Sequence, residues 1–299
     1  MPHILKTGVA QCSSVIGDLD ANLASHLDWI AQGKAAGLDL LVMPELSLTG
    51  HHGCETLLDI AMPRTDPRLG RLAEAAGDMT VIVGFIEEGP AAQFYNSAAI
   101  LKNGALRFLH RKVNLPSYGN LEEAKHYAAG RFVDVFGLDA RWNAGLLICA
   151  DLWNPALVHL AFLHGATCLI CPVSSGVEAV GVGFDNPGGW ALTMRFYSMM
   201  YGAPSIMANR TGTERGLTFW GGSRIVDAFG RELAVAGSTE ELITAEVDFD
   251  QVRRARYLLP TVRDSNISLV HRETTRLLET LGVPDLIRAS DGKQDTPNA

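Results

Sequence analysis

Asp39-Leu40-Leu41-Val42-Met43 is a short, continuous apolar run. It lacks the polar residue at every second position that a half-solvated strand carries, so it reads as a strand covered on both faces. Covering both faces demands layers of structure on either side. The rest of the chain has the patterns to supply them.

Ile4 to Gln11 reads as a strand, and Asp18 or Asp20 can cap a helix that keeps Leu23, Leu27, Ile30 and Ala31 on one face until Gly37 stops it. A second helix is expected over Pro67 to Gly77, followed by a strand over Thr80 to Ile86. Tyr95 to Leu101 and Ala105 to His110 flank Asn103-Gly104, a strong hairpin signal. Ala144 to Cys149, Thr167 to Ser174 and Pro204 to Asn209 read as strands, with helices over Pro155 to His164 and Trp190 to Tyr201. Ser223 to Asp227, a Phe229-Gly230 turn, Glu232 to Ala236 and Glu241 to Val247 form an expected meander, and a helix starts at Asp250. Strands and helices interleave throughout, which predicts an α/β architecture with mixed sheets. No composition break marks a boundary, so residues 1–287 read as one domain and residues 288–299 as a mobile tail with almost nothing to bury.

A chain of 299 residues with 47% hydrophobic content can bury a large core. Its 25 basic and 33 acidic side chains give a net charge of -8, which argues against a general nucleic-acid binder. No stretch approaches the roughly 20 apolar residues of a membrane span, and the N-terminus lacks the pattern of a signal peptide. Five cysteines, odd in number and mostly in apolar runs, are not a disulfide framework. A cytoplasmic protein is expected.

Three strand edges carry complementary chemistry: Glu45 in Met43-Pro44-Glu45-Leu46, Lys112 in His110-Arg111-Lys112-Val113-Asn114-Leu115-Pro116, and Cys149 in Leu147-Ile148-Cys149-Ala150-Asp151-Leu152-Trp153. A thiol of pKa about 8.5 is mostly protonated at neutral pH and needs a base or cation beside it to become a nucleophile. A glutamate can take that proton and pass it to a leaving amine, while a lysine stabilises the oxyanion of a tetrahedral intermediate. Together they form a complete set for acyl transfer.

These segments resemble the Glu-Lys-Cys signature of the nitrilase superfamily, the carbon–nitrogen hydrolases, in both order and spacing. The resemblance runs from the strand at Ile4 to Gly221-Gly222-Ser223-Arg224-Ile225-Val226-Asp227. It implies a four-layer αββα sandwich, a cysteine acyl-enzyme route without metal or organic cofactor, and a homodimer or larger homo-oligomer. It also implies a second glutamate between the lysine and a following glycine. Counting back from Gly130 selects Glu123, with Glu122 as the alternative. Cys149-Ala150-Asp151 is similar to the amide-hydrolysing branches rather than to the Cys-Trp-Glu of true nitrilases. Cys-x-Asp-Leu-Trp is also similar to the glutaminase domain of glutamine-dependent NAD synthetase, but no phosphate-binding loop of a synthetase domain accompanies it. The expected activity is therefore hydrolysis of a small non-peptide amide, ω-amide or N-carbamoyl compound. A nitrile-hydrolysing enzyme is the alternative, and a weakly catalytic binding protein on the same scaffold is a third reading.

Other motifs carry less. Cys168 and Cys171 lie three apart in an apolar strand, where they face opposite sides, so core packing is expected rather than a redox or metal pair. His51-His52-Gly53-Cys54 has ligand-type residues without a matching second cluster, so it reads as a loop near the pocket mouth. Ser174 to Gly189 lacks a dinucleotide fingerprint and reads as a long loop at the entrance. His51, Asp151, Trp153, Phe184 and Trp190 are the candidate substrate contacts. Arg253-Arg254-Ala255-Arg256 reads as a solvated or intersubunit helix face.

Overall fold

The computed structural model describes residues 3–51 and 56–280. His52, Gly53, Cys54 and the tail 288–299 fall outside the described residues. The chain divides into two units, Met1–Pro260 and Thr261–Ala299.

In the first unit the strands are β1 (Ile4–Gln11), β2 (Leu40–Val42), β3 (Thr80–Glu88), β4 (Phe94–Lys102), β5 (Ala105–Arg111), β6 (Val135–Gly137), β7 (Asn143–Leu146), β8 (Cys168–Val173), β9 (Ser205–Asn209), β10 (Thr211–Glu214), β11 (Leu217–Trp220), β12 (Arg224–Val226), β13 (Glu232–Val235) and β14 (Glu241–Asp248). The helices are α1 (Leu19–Ala35), α2 (Leu57–Ile60), α3 (Pro67–Ala76), α4 (Pro155–Leu163), α5 (Asn186–Tyr201) and α6 (Phe249–Leu258). In the second unit α7 spans Ile267–Thr280.

Six strands form one mixed sheet in the order β14-β1-β2-β3-β4-β5, and six form another in the order β13-β12-β9-β8-β7-β6. The sheets face each other across a shared core to which the first contributes Leu5, Val9, Leu40, Val42, Ile82 and Ile100, and the second Leu146, Cys168, Ile170, Ile206 and Ile225. Alternate residues of the first sheet, including Leu41, Met43, Val81, Val83 and Phe85, pack outward against Leu23 and Ile30 of α1 and Leu69 and Leu72 of α3. Helices α4 and α5 contact the second sheet. The unit is thus an αββα sandwich, and the apolar run at Leu40–Met43 has its cause: even-numbered residues face the opposing sheet and odd-numbered ones face helices. Each such leucine, fully buried, contributes about 1.5–3 kcal/mol of transfer free energy.

Most expected elements are present. Asp18 caps α1, accepting the Ala21 N–H at 3.0 Å, and the Asn103-Gly104 turn joins β4 to β5 with both residues at positive φ. Three differences are instructive. The expected late meander is split: β12 and β13 pair in one sheet, whereas β14 crosses to the other and pairs antiparallel with β1 along Ile4 to Gln11. Local turn signals cannot show this, because the partner of β14 is more than two hundred residues away. Helix α5 starts at Asn186 rather than Trp190, capped by Asp185, which accepts the Gly188 N–H. Gly188 and Gly189 hide that first turn by their poor helix propensity. Finally, β7 ends at Leu146, and Cys149–Trp153 forms a turn of 3₁₀ helix instead of a continued strand.

Candidate active site

Glu45 follows the C-terminal end of β2, an interior strand of the first sheet. Leu46 turns there in the left-handed region, at φ 52°, and the turn presses so closely on β3 that a Cβ at Gly84 would stand 2.3 Å from the Leu46 nitrogen and 2.7 Å from the Pro44 oxygen. Only glycine fits that approach. Glu45 is buried, and both its oxygens are engaged: Asn96 Nδ2 donates to Oε1 at 2.7 Å and the Ser174 N–H donates to Oε2 at 2.8 Å.

Lys112 follows β5, with its N–H donating to the Asn96 carbonyl at 2.8 Å and its own carbonyl accepting the Gly130 N–H at 2.8 Å. Its fully buried ammonium donates at 2.7 Å to Glu45 Oε1 and at 2.7 Å to Glu123 Oε1. An ammonium has three donors, so one remains beyond these two bonds. Glu122 lies on the surface instead, paired with Lys125 at 2.6 Å. The glycine count from Gly130 therefore selects the glutamate that meets the lysine. Gly130 itself passes so near Arg111 that a Cβ would stand 2.1 Å from the Arg111 oxygen.

Cys149 sits half-buried at the start of its 3₁₀ turn with φ 44°, a strained conformation for a residue with a side chain. Such strain is held in place by surrounding contacts, here by Asp151. The Asp151 Oδ1 accepts the N–H groups of Val113 at 3.0 Å and Asn114 at 2.7 Å, and Oδ2 accepts that of Ile148 at 3.0 Å. His110 Nε2 also lies 3.0 Å from Oδ2. Asn114 Nδ2 in turn donates to the Ala150 carbonyl at 2.7 Å. The lysine edge and the cysteine edge are thus sewn together.

The charges decide the resting protonation. Burial by itself would lower the Lys112 pKa, but Glu123, Glu45 and Cys149 together raise it well above the usual lysine value. Lys112 is a fixed cation. Burial and the Glu45 charge push the Cys149 thiol well up, against the pull of Lys112. The resting sulfur is therefore a thiol, and a thiolate forms only as a neighbouring base takes its proton. Burial, reinforced by Glu45 and opposed by Lys112, pushes Glu123 up to about 7.

Cys149 opens into a small, partly open cavity of about 20 Å³, room for one or two waters, whose wall includes His51, Tyr118, Glu123, Trp153, Ser174, Ser175 and Asn186. A far larger groove of about 1180 Å³ lies along β5 near Glu87, Tyr95 and Arg111, and touches neither Cys149 nor Glu123. Cys149 and Glu123 share the small cavity.

Of the expected substrate contacts, His51 and Trp153 are on that wall. The other three are not. Asp151 is fully buried, with its oxygens spent on backbone N–H groups. Trp190 is also fully buried, donating from Nε1 to Ser175 Oγ at 3.2 Å and packing against Trp153 with centroids 4.8 Å apart. Phe184 stands edge-on to Trp153 at 6.1 Å, half-exposed. Asn96, bonded to Glu45, and Tyr118, Ser174, Ser175 and Asn186 on the cavity wall are not among the expected contacts. Only Asn96 gave a signal, as a polar residue inside an apolar strand.

Cys168 lies in the core between the sheets, whereas Cys171 faces the other way, against the Cys149 main chain. Among the described residues no group of three His, Cys, Asp or Glu side chains could hold a metal ion. The Arg256 guanidinium is no free surface charge, since it donates to the carbonyls of Tyr201 and Ala166 at 3.1 and 2.7 Å.

Comparison with known proteins gives a consistent picture. The family model described as carbon-nitrogen hydrolase matches residues 6–257. The chain is 31% identical over 265 residues to a glutamine-dependent NAD(+) synthetase of Thermotoga maritima, covering 87% of this chain and 45% of that protein. It spans about half the length of the first such relatives. It is 32% identical over 274 residues to an (R)-stereoselective amidase of a Pseudomonas species, covering 90% of this chain and 94% of the amidase. A carbon-nitrogen hydrolase from Helicobacter pylori shares the fold at TM-score 0.80 and 24% identity, over 89% of this chain and 97% of that one.

Proposed function

Because this chain belongs to the carbon–nitrogen hydrolase family of the nitrilase superfamily, whose members act on non-peptide C–N bonds, we propose that it hydrolyses a small amide through a thioester on Cys149. The observation that carries this reading is the ammonium of Lys112 held at 2.7 Å by both Glu45 and Glu123 beside the Cys149 cavity.

In the proposed cycle Glu45 accepts the Cys149 proton as sulfur attacks the substrate carbonyl carbon. The remaining Lys112 donor stabilises the oxyanion, an interaction worth about 3–4 kcal/mol in the transition state. Collapse of the intermediate breaks the C–N bond, and Glu45 returns the proton to the departing nitrogen. Water then loses a proton to Glu45, attacks the thioester and releases the acid, and that proton restores the thiol. The amide is favoured over the nitrile by Glu123 Oε2, a buried atom without a partner at the cavity wall. An ionised carboxylate oxygen accepts an amide N–H, and a nitrile has none to give. The cycle draws on no metal or organic cofactor.

We further read the protein as a cytoplasmic homodimer or larger homo-oligomer. The exposed Leu192, Phe196 and Met199 of α5 support self-association. No helix among the described residues is long and apolar enough to cross a membrane.

Ammonia release across amides, carbamoyl compounds and nitriles, with Cys149→Ala as blank, tests the proposal. Amide turnover that vanishes in the variant is expected. Turnover confined to nitriles, or surviving in Cys149→Ala, contradicts it.

A further inference from the structure

The polar atoms around Cys149 include acceptors but no lysine or arginine among the described wall residues. Leu121, Val180 and the Trp153 ring form the apolar part of the wall, and Tyr118 adds a hydroxyl-bearing ring. Its buried polar atoms without a hydrogen-bond partner include Glu123 Oε2, Ser174 Oγ and Asn186 Oδ1. The orientation of Asn186 is set by its amide, whose Nδ2 donates to Ser175 Oγ and to the Gly176 carbonyl, both at 2.8 Å. That leaves Oδ1 as an acceptor. Two acceptors thus await hydrogen-bond donors, and the Ser174 hydroxyl can either donate or accept. The described wall residues include no lysine or arginine, and the cation behind the wall, Lys112, is already held by two carboxylates.

We propose, building on the amidase reading above, that this cavity takes amides with a short, uncharged acyl group and rejects those whose acyl end carries a carboxylate. The rejected class comprises the ω-amides of dicarboxylic and amino-dicarboxylic acids, glutamine among them. A carboxylate at the far end of the acyl group would give up its hydration, find no lysine or arginine among the described wall residues and lie close to the carboxylates of Glu45 and Glu123, with hydroxyls as its donors and the oxygens Glu123 Oε2 and Asn186 Oδ1 as unfavourable neighbours. Burying a charge without a partner is among the costliest steps in recognition. An uncharged amide of equal length loses nothing of the kind, and its NH₂ supplies donors to acceptors that otherwise have none. The wall thus separates this site from the use of glutamine that the name of the NAD(+) synthetase relative indicates for that protein.

The test uses the full chain and matched pairs: propionamide against malonamate, and butyramide against succinamate and glutamine. Ammonia release is followed at pH 8. In each pair kcat/KM of the uncharged amide is expected to exceed that of its carboxylate partner by at least about 100-fold. Turnover of malonamate, succinamate or glutamine equal to or above that of its uncharged partner, and lost in Cys149→Ala, overturns the selectivity while leaving the amidase reading intact. Silence on every amide, charged or not, removes the amidase reading and this inference with it.

Discussion

Asp151 Oδ1 accepts the Asn114 N–H at 2.7 Å, and this bond ties the strand edge bearing Lys112 to the turn bearing Cys149. The same carboxylate holds the N–H groups of Val113 and Ile148, so one buried side chain sets the spacing of nucleophile and cation. Bonds from N–H groups to an ionised acceptor contribute roughly 1.5–3 kcal/mol each. Asp151→Asn, which turns an acceptor into a donor facing donors, is expected to lower kcat by at least about 100-fold, with KM much less changed. A fall in KM-dependent binding alone, with kcat preserved, would show that Asp151 meets substrate rather than positioning the reacting groups.

Gly84 is required by the turn that delivers Glu45. A methyl group there would overlap backbone atoms of Pro44, Glu45 and Leu46, none of which can rotate away. Gly84→Ala is expected to destabilise the fold by about 1–3 kcal/mol and to abolish most activity. Denaturant titration checks the first and ammonia release the second. A variant with wild-type stability and rate would mean that the close approach is not needed.

Glu123 should govern the acid side of the pH profile. Burial, together with Glu45 and against Lys112, pushes it up to about 7, so below that value it is uncharged, loses the charge that holds Lys112 and accepts a substrate N–H more weakly. Activity is expected to rise with pH through about 7 in the wild type, and Glu123→Gln, though slower, should lose that limb. The stability sign is the reverse. Because the folded state keeps this proton between the ordinary 4.5 and about 7 while the unfolded state releases it, the contribution of Glu123 to stability declines as pH rises across that window. Lys112, raised well above 10.5, contributes stability that is complete below 10.5 and fades as pH rises through its folded value. Denaturation of wild type and Glu123→Gln from pH 4 to 8 separates the two groups, and parallel profiles would refute the assignment.

Thiol reactivity should single out Cys149 among the described cysteines. Burial pushes Cys12 and Cys168 up to about 12 and also raises Cys171. All three are buried, whereas Cys149 is half-buried at a cavity it shares with Glu123. Iodoacetamide, itself a small amide, is expected to alkylate Cys149 first and to be slowed by a short amide substrate. Peptide mapping that finds Cys12, Cys168 or Cys171 modified before Cys149 would contradict this.

Much of this arrangement was legible in the sequence because strand ends announce themselves. The runs before Glu45, Lys112 and Cys149 stop abruptly at polar residues, and the spacing to Gly130 selected Glu123. What escaped reading depends on pairing across long distances. Nothing local reveals that β14 joins the opposite sheet, or that Asn186 and Ser174 face Cys149. Asp151 shows the same limit: proximity in sequence to a nucleophile suggested substrate contact, whereas the fold turns its carboxylate onto the backbone of another strand edge. Trp190 likewise is an aromatic that packs behind the wall rather than on it.

The central claim is that Cys149 carries the acyl group. Mixing the enzyme with a short uncharged amide, quenching in acid within milliseconds to seconds and weighing the Cys149 peptide tests it directly. A mass increase equal to the acyl group, formed no slower than ammonia is released and lost on the timescale of turnover, is the predicted result. Steady ammonia release with Cys149 unmodified at every time would contradict the account.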